Sequence, residues 1–138
     1  MCSSDLHPVS LVHEDSEPLR RMAIFDVIVN NADRKGAHIL AMPGGHRHGV
    51  DHGLTFHVEH KLRTVLWGFV GDAIAPEEVE GLRGLVSALD GALGATLRDL
   101  LTDEEVETTR RRVARLLARG TFPGPRSSSY PVIPWPPF

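Results

Sequence analysis

Between Leu19 and Val29 nearly every position is apolar: Leu19, Met22, Ala23, Ile24, Phe25, Val27, Ile28 and Val29. A helix apolar on all sides is a buried one, and this run is too short to cross a bilayer. Ser16, a capping hydroxyl, stands just before Glu17 and Pro18, which suits a helix start. The pattern predicts a buried helix over 18–30, stopping at Asn30–Asn31. Upstream, PVSLVH (residues 8–13) alternates as a short edge strand does. Residues 37–41 and 47–50 read as two strands around Pro43-Gly44-Gly45, a hairpin turn signal.

The second half of the chain has helical spacing. A mixed apolar segment over 61–69 places Trp67 and Phe69 in the core. Pro76-Glu77-Glu78 opens a helix bearing Val79, Leu82, Leu85, Val86 and Leu89. Gly81, Gly84, Gly91 and Gly94 each weaken it by about 1 kcal/mol relative to Ala. Thr102 and Glu105 form a capping box for a last helix with Val106, Val113, Leu116 and Leu117 on one face. Arg110, Arg111, Arg112, Arg115 and Arg119 lie elsewhere on it. Its acidic start and basic end suit the helix dipole, and Gly120 ends it. From Phe122 onward, six of seventeen residues are proline. This tail is expected to lie extended over the surface, anchored by Tyr130, Trp135 and Phe138.

The expected fold class is therefore α+β, mainly helical, with one small hairpin. A chain of 138 residues makes at most one domain. The expected divisions are a leader at 1–7, a body at 8–120 and a tail at 121–138. Residues 1–6, MCSSDL, match the translated end of a common sequencing adapter and are expected to be non-native. A hydrophobic content of 41% and a charged content of 24% are ordinary for a globular protein. The net charge of −3 points to neither nucleic acid nor an anionic membrane as an obligate partner. No apolar run suits a transmembrane segment or a signal peptide, and lone Cys2 permits no internal disulfide. A cytoplasmic location is the expectation. Arg outnumbers Lys thirteen to two, a bias associated with GC-rich bacterial genomes.

All eight histidines precede residue 61, and five of them (His46, His48, His52, His57 and His60) fall within fifteen residues. The run HRHGVDH is similar to the H-x-H-x-D-H ligand run of metallo-β-lactamase-like hydrolases. Its spacing is one residue too long, which redirects the ligand vectors that must converge on one ion. His46, His57 and His60 are better read as surface residues of a hairpin.

The aspartates make a more coherent pattern. Phosphoryl transfer needs an Asp to orient and deprotonate the attacking hydroxyl, and further carboxylate or amide ligands to hold Mg²⁺ against the phosphates. Here a buried helix is followed by Asn31-Ala32-Asp33-Arg34-Lys35-Gly36-Ala37-His38, then a hairpin, then Val50-Asp51-His52-Gly53. This order and spacing resemble the N-x-D-R-x-x-x-N and I-D-x-G motifs of phosphatidylinositol 3-/4-kinase-like and HipA-like kinases. From residue 8 onward the chain is similar to an actinobacterial family of phosphatidylinositol-kinase-like proteins.

The resemblance implies the C-terminal lobe of a kinase-like phosphotransferase using Mg²⁺ and ATP, with the phosphoacceptor open. Asp33 matches the catalytic-loop base, and Asp51 matches the metal-binding Asp. His38 stands where the wider pattern has Asn. Since Mg²⁺ prefers oxygen ligands, an imidazole at this metal position implies a weakened second site, a softer ion, or lost catalysis. The ATP-covering loop and phosphate-binding Lys would belong to an N-terminal lobe outside this chain, so the chain alone is expected to be inactive. Arg34 or Lys35 would meet a phosphate or stay solvated, and Asn31 would orient the loop. Asp26, alone on the apolar helix, is expected to pair with a basic side chain or a backbone amide. The alternatives are a pseudokinase-like nucleotide- or metal-binding module and a His-rich metal hydrolase.

Overall fold

The computed structural model describes residues 8–126 and 131–138. The leader at 1–7 and Tyr130 lie outside the described residues. The described chain is mainly helical with a single two-stranded sheet.

Residues 8–13 form no edge strand, because Pro8–Val12 is a short helix, α1. Leu11 and Val12 are both buried, and adjacent apolar positions fit one side of a helical turn rather than the alternating faces of a strand. The second helix, α2, spans Glu17–Val29. Ser16 has the extended backbone of a cap, but its hydroxyl donates to Glu14 Oε2 at 2.6 Å and does not cap the helix. Asn30 takes a left-handed conformation (φ 57°), and its N–H bonds back to the Asp26 and Val27 carbonyls. Leu19, Met22, Ala23, Ile24, Ile28 and Val29 are buried, whereas Phe25 is 42% exposed. The helix is thus buried on most of its circumference but not all of it.

Strands β1 (Ile39–Ala41) and β2 (Arg47–Gly49) pair antiparallel, with Leu40 opposite His48. The expected hairpin is present, although Ala37 and His38 belong to a 3-10 turn that precedes it. Beyond β2 the chain runs without regular structure to Leu66. Leu62, Leu66 and Phe69 are buried, and Trp67 is half-buried.

Three helices follow: α3 (Pro76–Leu89), α4 (Ala92–Arg98) and α5 (Asp103–Arg119). The break at Asp90–Gly91 was not visible in the apolar pattern. A Cβ on Gly94 would stand 1.8 Å from the Leu89 carbonyl oxygen, so the close turn of α4 against the end of α3 requires glycine there. The capping box of α5 is formed as expected. Thr102 Oγ1 accepts from the Glu105 N–H at 3.1 Å, and Glu105 returns the bond to the Thr102 N–H at 2.8 Å. Thr102→Ala should therefore cost about 1 kcal/mol and lower the thermal midpoint by about 4 °C, as read by circular dichroism melting.

The tail is held differently from the expected aromatic anchoring. Trp135 is 87% exposed and Phe138 is 44% exposed. Backbone carbonyls do the anchoring instead. Val132 O accepts from the Thr64 N–H (3.1 Å) and from Trp67 Nε1 (3.0 Å), and Pro137 O accepts from the Gly36 N–H (2.7 Å). Pro134 is fully buried. Proline has no N–H to satisfy and so can be buried without leaving a donor unpaired.

Candidate functional site around Asp33, His38 and Asp51

The loop after α2 is fixed from below by a buried ion pair. Arg34 and Asp26 are both fully buried. Arg34 Nε donates to Asp26 Oδ2 and Nη2 to Oδ1, each at 2.9 Å, a two-pronged fork that only a guanidinium can supply. Burial pushes the Asp26 carboxyl up, and the hydrogen bonds from Arg34 and Asn31 oppose that shift. Asp26 thus has the basic partner expected of it. Arg34, by contrast, is not available to a phosphate or to solvent. Its remaining donors go to the His38 carbonyl at 3.2 Å and to His52 Nε2 at 2.7 Å. Since Arg34 can only donate, His52 Nε2 is the acceptor and the proton of the neutral ring lies on Nδ1. Burial and the Arg34 charge hold His52 below its ordinary pKa, consistent with that tautomer. The ring also meets Phe25 edge-on at 5.2 Å. Gly49 makes room for this arrangement, because a Cβ there would lie 3.0 Å from Arg34 Nη1 and 3.2 Å from His52 Nε2.

Above that pair the loop backbone is bonded on both sides. Ala32 N–H donates to Leu54 O (2.9 Å) and Arg34 N–H to Arg63 O (3.1 Å), while Asn31 O accepts from Arg63 N–H (3.0 Å). Asn31 orients the loop as expected: its Oδ1 accepts from the Asp33 N–H at 3.0 Å, and its Nδ2 donates to Asp26 Oδ1 at 3.1 Å. Asp33 is half-exposed at the loop tip. Lys35 beside it has no carboxylate partner among the described residues.

His38 connects the two aspartate segments. Its Nδ1 lies 2.7 Å from the Asp33 carbonyl oxygen, and its Nε2 lies 3.3 Å from Asp51 Oδ2. The Lys35 N–H also lies 3.4 Å from Nδ1, but the carbonyl is much closer and can only accept, which calls for a proton on Nδ1. Asp51 holds a left-handed backbone (φ 62°) with its side chain 67% exposed. Non-glycine residues adopt that conformation infrequently, and it is found more often at functional sites.

The other histidines do not converge. His46 and His48 are exposed and stack edge to face, 4.5 Å apart, and His52 is engaged by Arg34. Among the described residues no group of three His, Cys, Asp or Glu side chains is arranged to hold a metal ion. His60 is half-buried. Burial first, and then Arg126, Arg112 and Arg115, press its pKa down to about 4. Between pH 6.5 and about 4 the unfolded chain therefore takes up a proton that the folded chain refuses, so stability must fall as pH drops through that window. His52 acts in the same direction. His60→Asn should lose less of its thermal midpoint between pH 7 and pH 5 than the parent does.

Comparison with known proteins is sparse. No family model matches the chain, and no solved structure matches it. It is 48% identical over 130 residues to protein Rv2133c of Mycobacterium tuberculosis (strain ATCC 25618 / H37Rv), which covers 94% of this chain and 46% of that protein. The chain thus spans about half the length of that relative. No helix among the described residues is long and apolar enough to cross a membrane.

Proposed function

We propose that this chain is the C-terminal lobe of a protein-kinase-like phosphotransferase, related to phosphatidylinositol 3-/4-kinases, that transfers a phosphoryl group from ATP. Asp33 would orient and deprotonate the acceptor hydroxyl, and Asp51, with His38 beside it, would hold Mg²⁺. The observation that carries the reading is the His38 bridge. One ring nitrogen contacts the backbone carbonyl of Asp33 and the other faces the carboxylate of Asp51, which supports a site shared by the two segments.

An ion here would need few ligands from the protein. Mg²⁺ is usually held by one or two carboxylates together with substrate phosphates rather than by an all-protein cage, and Asp51 is exposed enough to serve. With Nδ1–H donated to the Asp33 carbonyl, a neutral His38 would turn the Nε2 lone pair toward a carboxylate oxygen. That contact is attractive only when Nε2 is protonated or when both atoms face one cation. Bound there, Mg²⁺ would neutralise charge on the nucleotide phosphates.

In this reading the ATP-covering elements come from outside the 138 residues, within a homologue of greater length. The partners are a nucleotide and a phosphoacceptor, and the compartment is the cytoplasm. A second reading, a pseudokinase-like module that binds nucleotide or metal without turnover, is favoured by one feature: His38 offers nitrogen where an amide oxygen would suit Mg²⁺ better.

Paramagnetic broadening by Mn²⁺, followed by NMR on the chain itself, tests the site. Broadening should begin at the His38 ring and residues 50–52, and Asp51→Asn should weaken it at least tenfold. Broadening confined to His46 and His48, or unchanged by Asp51→Asn, would remove the metal from this site.

A further inference from the structure

A cavity of about 520 Å³ opens between α5, the segment at 58–62 and the start of the tail. None of its lining residues belongs to the cluster of Asp33, His38 and Asp51. Its volume is within the range of small-molecule sites. Five arginines line it: Arg111, Arg112, Arg115 and Arg119 from α5, and Arg126 from the tail across the opening. Val27, Leu62 and Leu116 supply apolar wall.

Two carboxylates, Glu59 and Glu104, also line the cavity, against five arginines. Glu59 pairs with Lys61 at 3.6 Å, and Arg111 finds Glu107 at 3.6 Å. No carboxylate is within ion-pair distance of Arg115, Arg119 or Arg126 among the described residues. Arg112 is the most telling. Its Nη2 donates to the carbonyl of His57, but its Nη1 is buried with no hydrogen-bond partner. Burial, with Arg115 and Arg126 close by, lowers its pKa to about 10. A buried guanidinium N–H left unpaired beside like charges is unfavourable. An anion in the cavity would satisfy the donor and relieve the repulsion together.

We propose that this cavity binds a small polyanion bearing two or more phosphate groups. The guanidinium fork matches phosphate oxygens in pairs. Several forks from one helix, with another facing them, suit more than one phosphate. His60, kept neutral at physiological pH, can lie against the ligand as an uncharged donor or acceptor.

Isothermal titration of the purified chain with inorganic tripolyphosphate tests this. One equivalent should bind, at least tenfold more tightly than inorganic phosphate. Arg115→Gln and Arg119→Gln should each weaken it about tenfold. Both positions are exposed on α5, and Gln is a good helix former, so folding should survive; a thermal melt checks it. Arg83→Gln, at an exposed arginine paired with Glu80, is the control and should change nothing. Co-sedimentation with phosphatidylcholine vesicles containing phosphatidylinositol 4,5-bisphosphate, displaced by tripolyphosphate, would assign the phosphates to a lipid headgroup. Tripolyphosphate binding without vesicle binding would assign them to a soluble ligand. Affinity indifferent to Arg115→Gln and Arg119→Gln, or lowered as much by Arg83→Gln, would overturn the proposal. Asp33→Asn and Asp51→Asn should leave the affinity unchanged, so this test and that of the phosphotransferase reading fail independently.

Discussion

Replacing Asp26 by alanine is expected to destabilise the protein by about 3–5 kcal/mol, the usual cost of breaking a buried ion pair by removing one partner. That approaches the whole stability of a small domain, so the variant should be largely unfolded at 37 °C by circular dichroism. The cause is the charge left behind. Arg34 is fully buried and gives three hydrogen bonds to Asp26, and among the described residues no other carboxylate lies within ion-pair distance of it. Arg34→Lys should not rescue function of the pair, because an ammonium cannot reach both carboxylate oxygens and the His38 carbonyl at once. The double replacement Asp26→Leu with Arg34→Met should recover part of the loss, as apolar substitutes for buried ion pairs commonly do. If Asp26→Ala melts within a few degrees of the parent, the loop of Asp33 is not held from below in the way described.

The second large effect concerns catalysis in a longer homologue that carries the equivalent residues. Asp33→Asn should leave nucleotide binding nearly intact and slow transfer by about 10²–10⁴, the usual contribution of a positioned general base. Asp51→Asn should weaken Mg²⁺-dependent nucleotide binding itself, because it removes charge next to the ion. His38→Asn separates the two readings of the site. An amide oxygen suits Mg²⁺ better than an imidazole nitrogen, so activity should rise if His38 is a compromised ligand. If His38 instead acts mainly by tying the loop of Asp33 to Asp51, the change should lower activity and disturb the backbone resonances of both segments. Single-turnover rates and nucleotide titrations on the same preparations distinguish these outcomes.

Much of the framework was legible in the sequence because it rests on local rules. Pro18, the dense apolar run and Asn30 delimit α2. Thr102, Glu105 and Gly120 delimit α5, and Pro43-Gly44-Gly45 marks the hairpin turn. The alternation at 8–13 misled because a stretch of five or six residues carries no period that distinguishes a strand from a helical turn. The α3–α4 break comes with one close approach at Gly94, a tertiary fact with only a glycine to hint at it. The extended tail follows from its prolines, but its anchors do not: Trp135 and Phe138 are exposed, and the contacts are made by carbonyls that every residue possesses.

For the site, the spacing of Asp33, His38 and Asp51 was visible, and His38 does link the two segments. That Arg34 would be consumed by Asp26 and His52 was not, because the same basic residue serves equally well as a phosphate ligand on paper. The arginine cavity was likewise hidden. On α5 alone Arg111, Arg112, Arg115 and Arg119 resemble an ordinary solvated face, and only the fold sets Arg126 and His60 against them.

The most direct test of the central claim is transfer of the γ-phosphoryl group of radiolabelled ATP by such a longer homologue, with Mg²⁺ present and then removed by chelation. The account predicts label incorporated into an acceptor or into the protein itself, lost on chelation and lost again in Asp51→Asn. Incorporation that persists in Asp51→Asn with Mg²⁺ present, or no Mg²⁺-dependent binding of ATP in the parent, would contradict it.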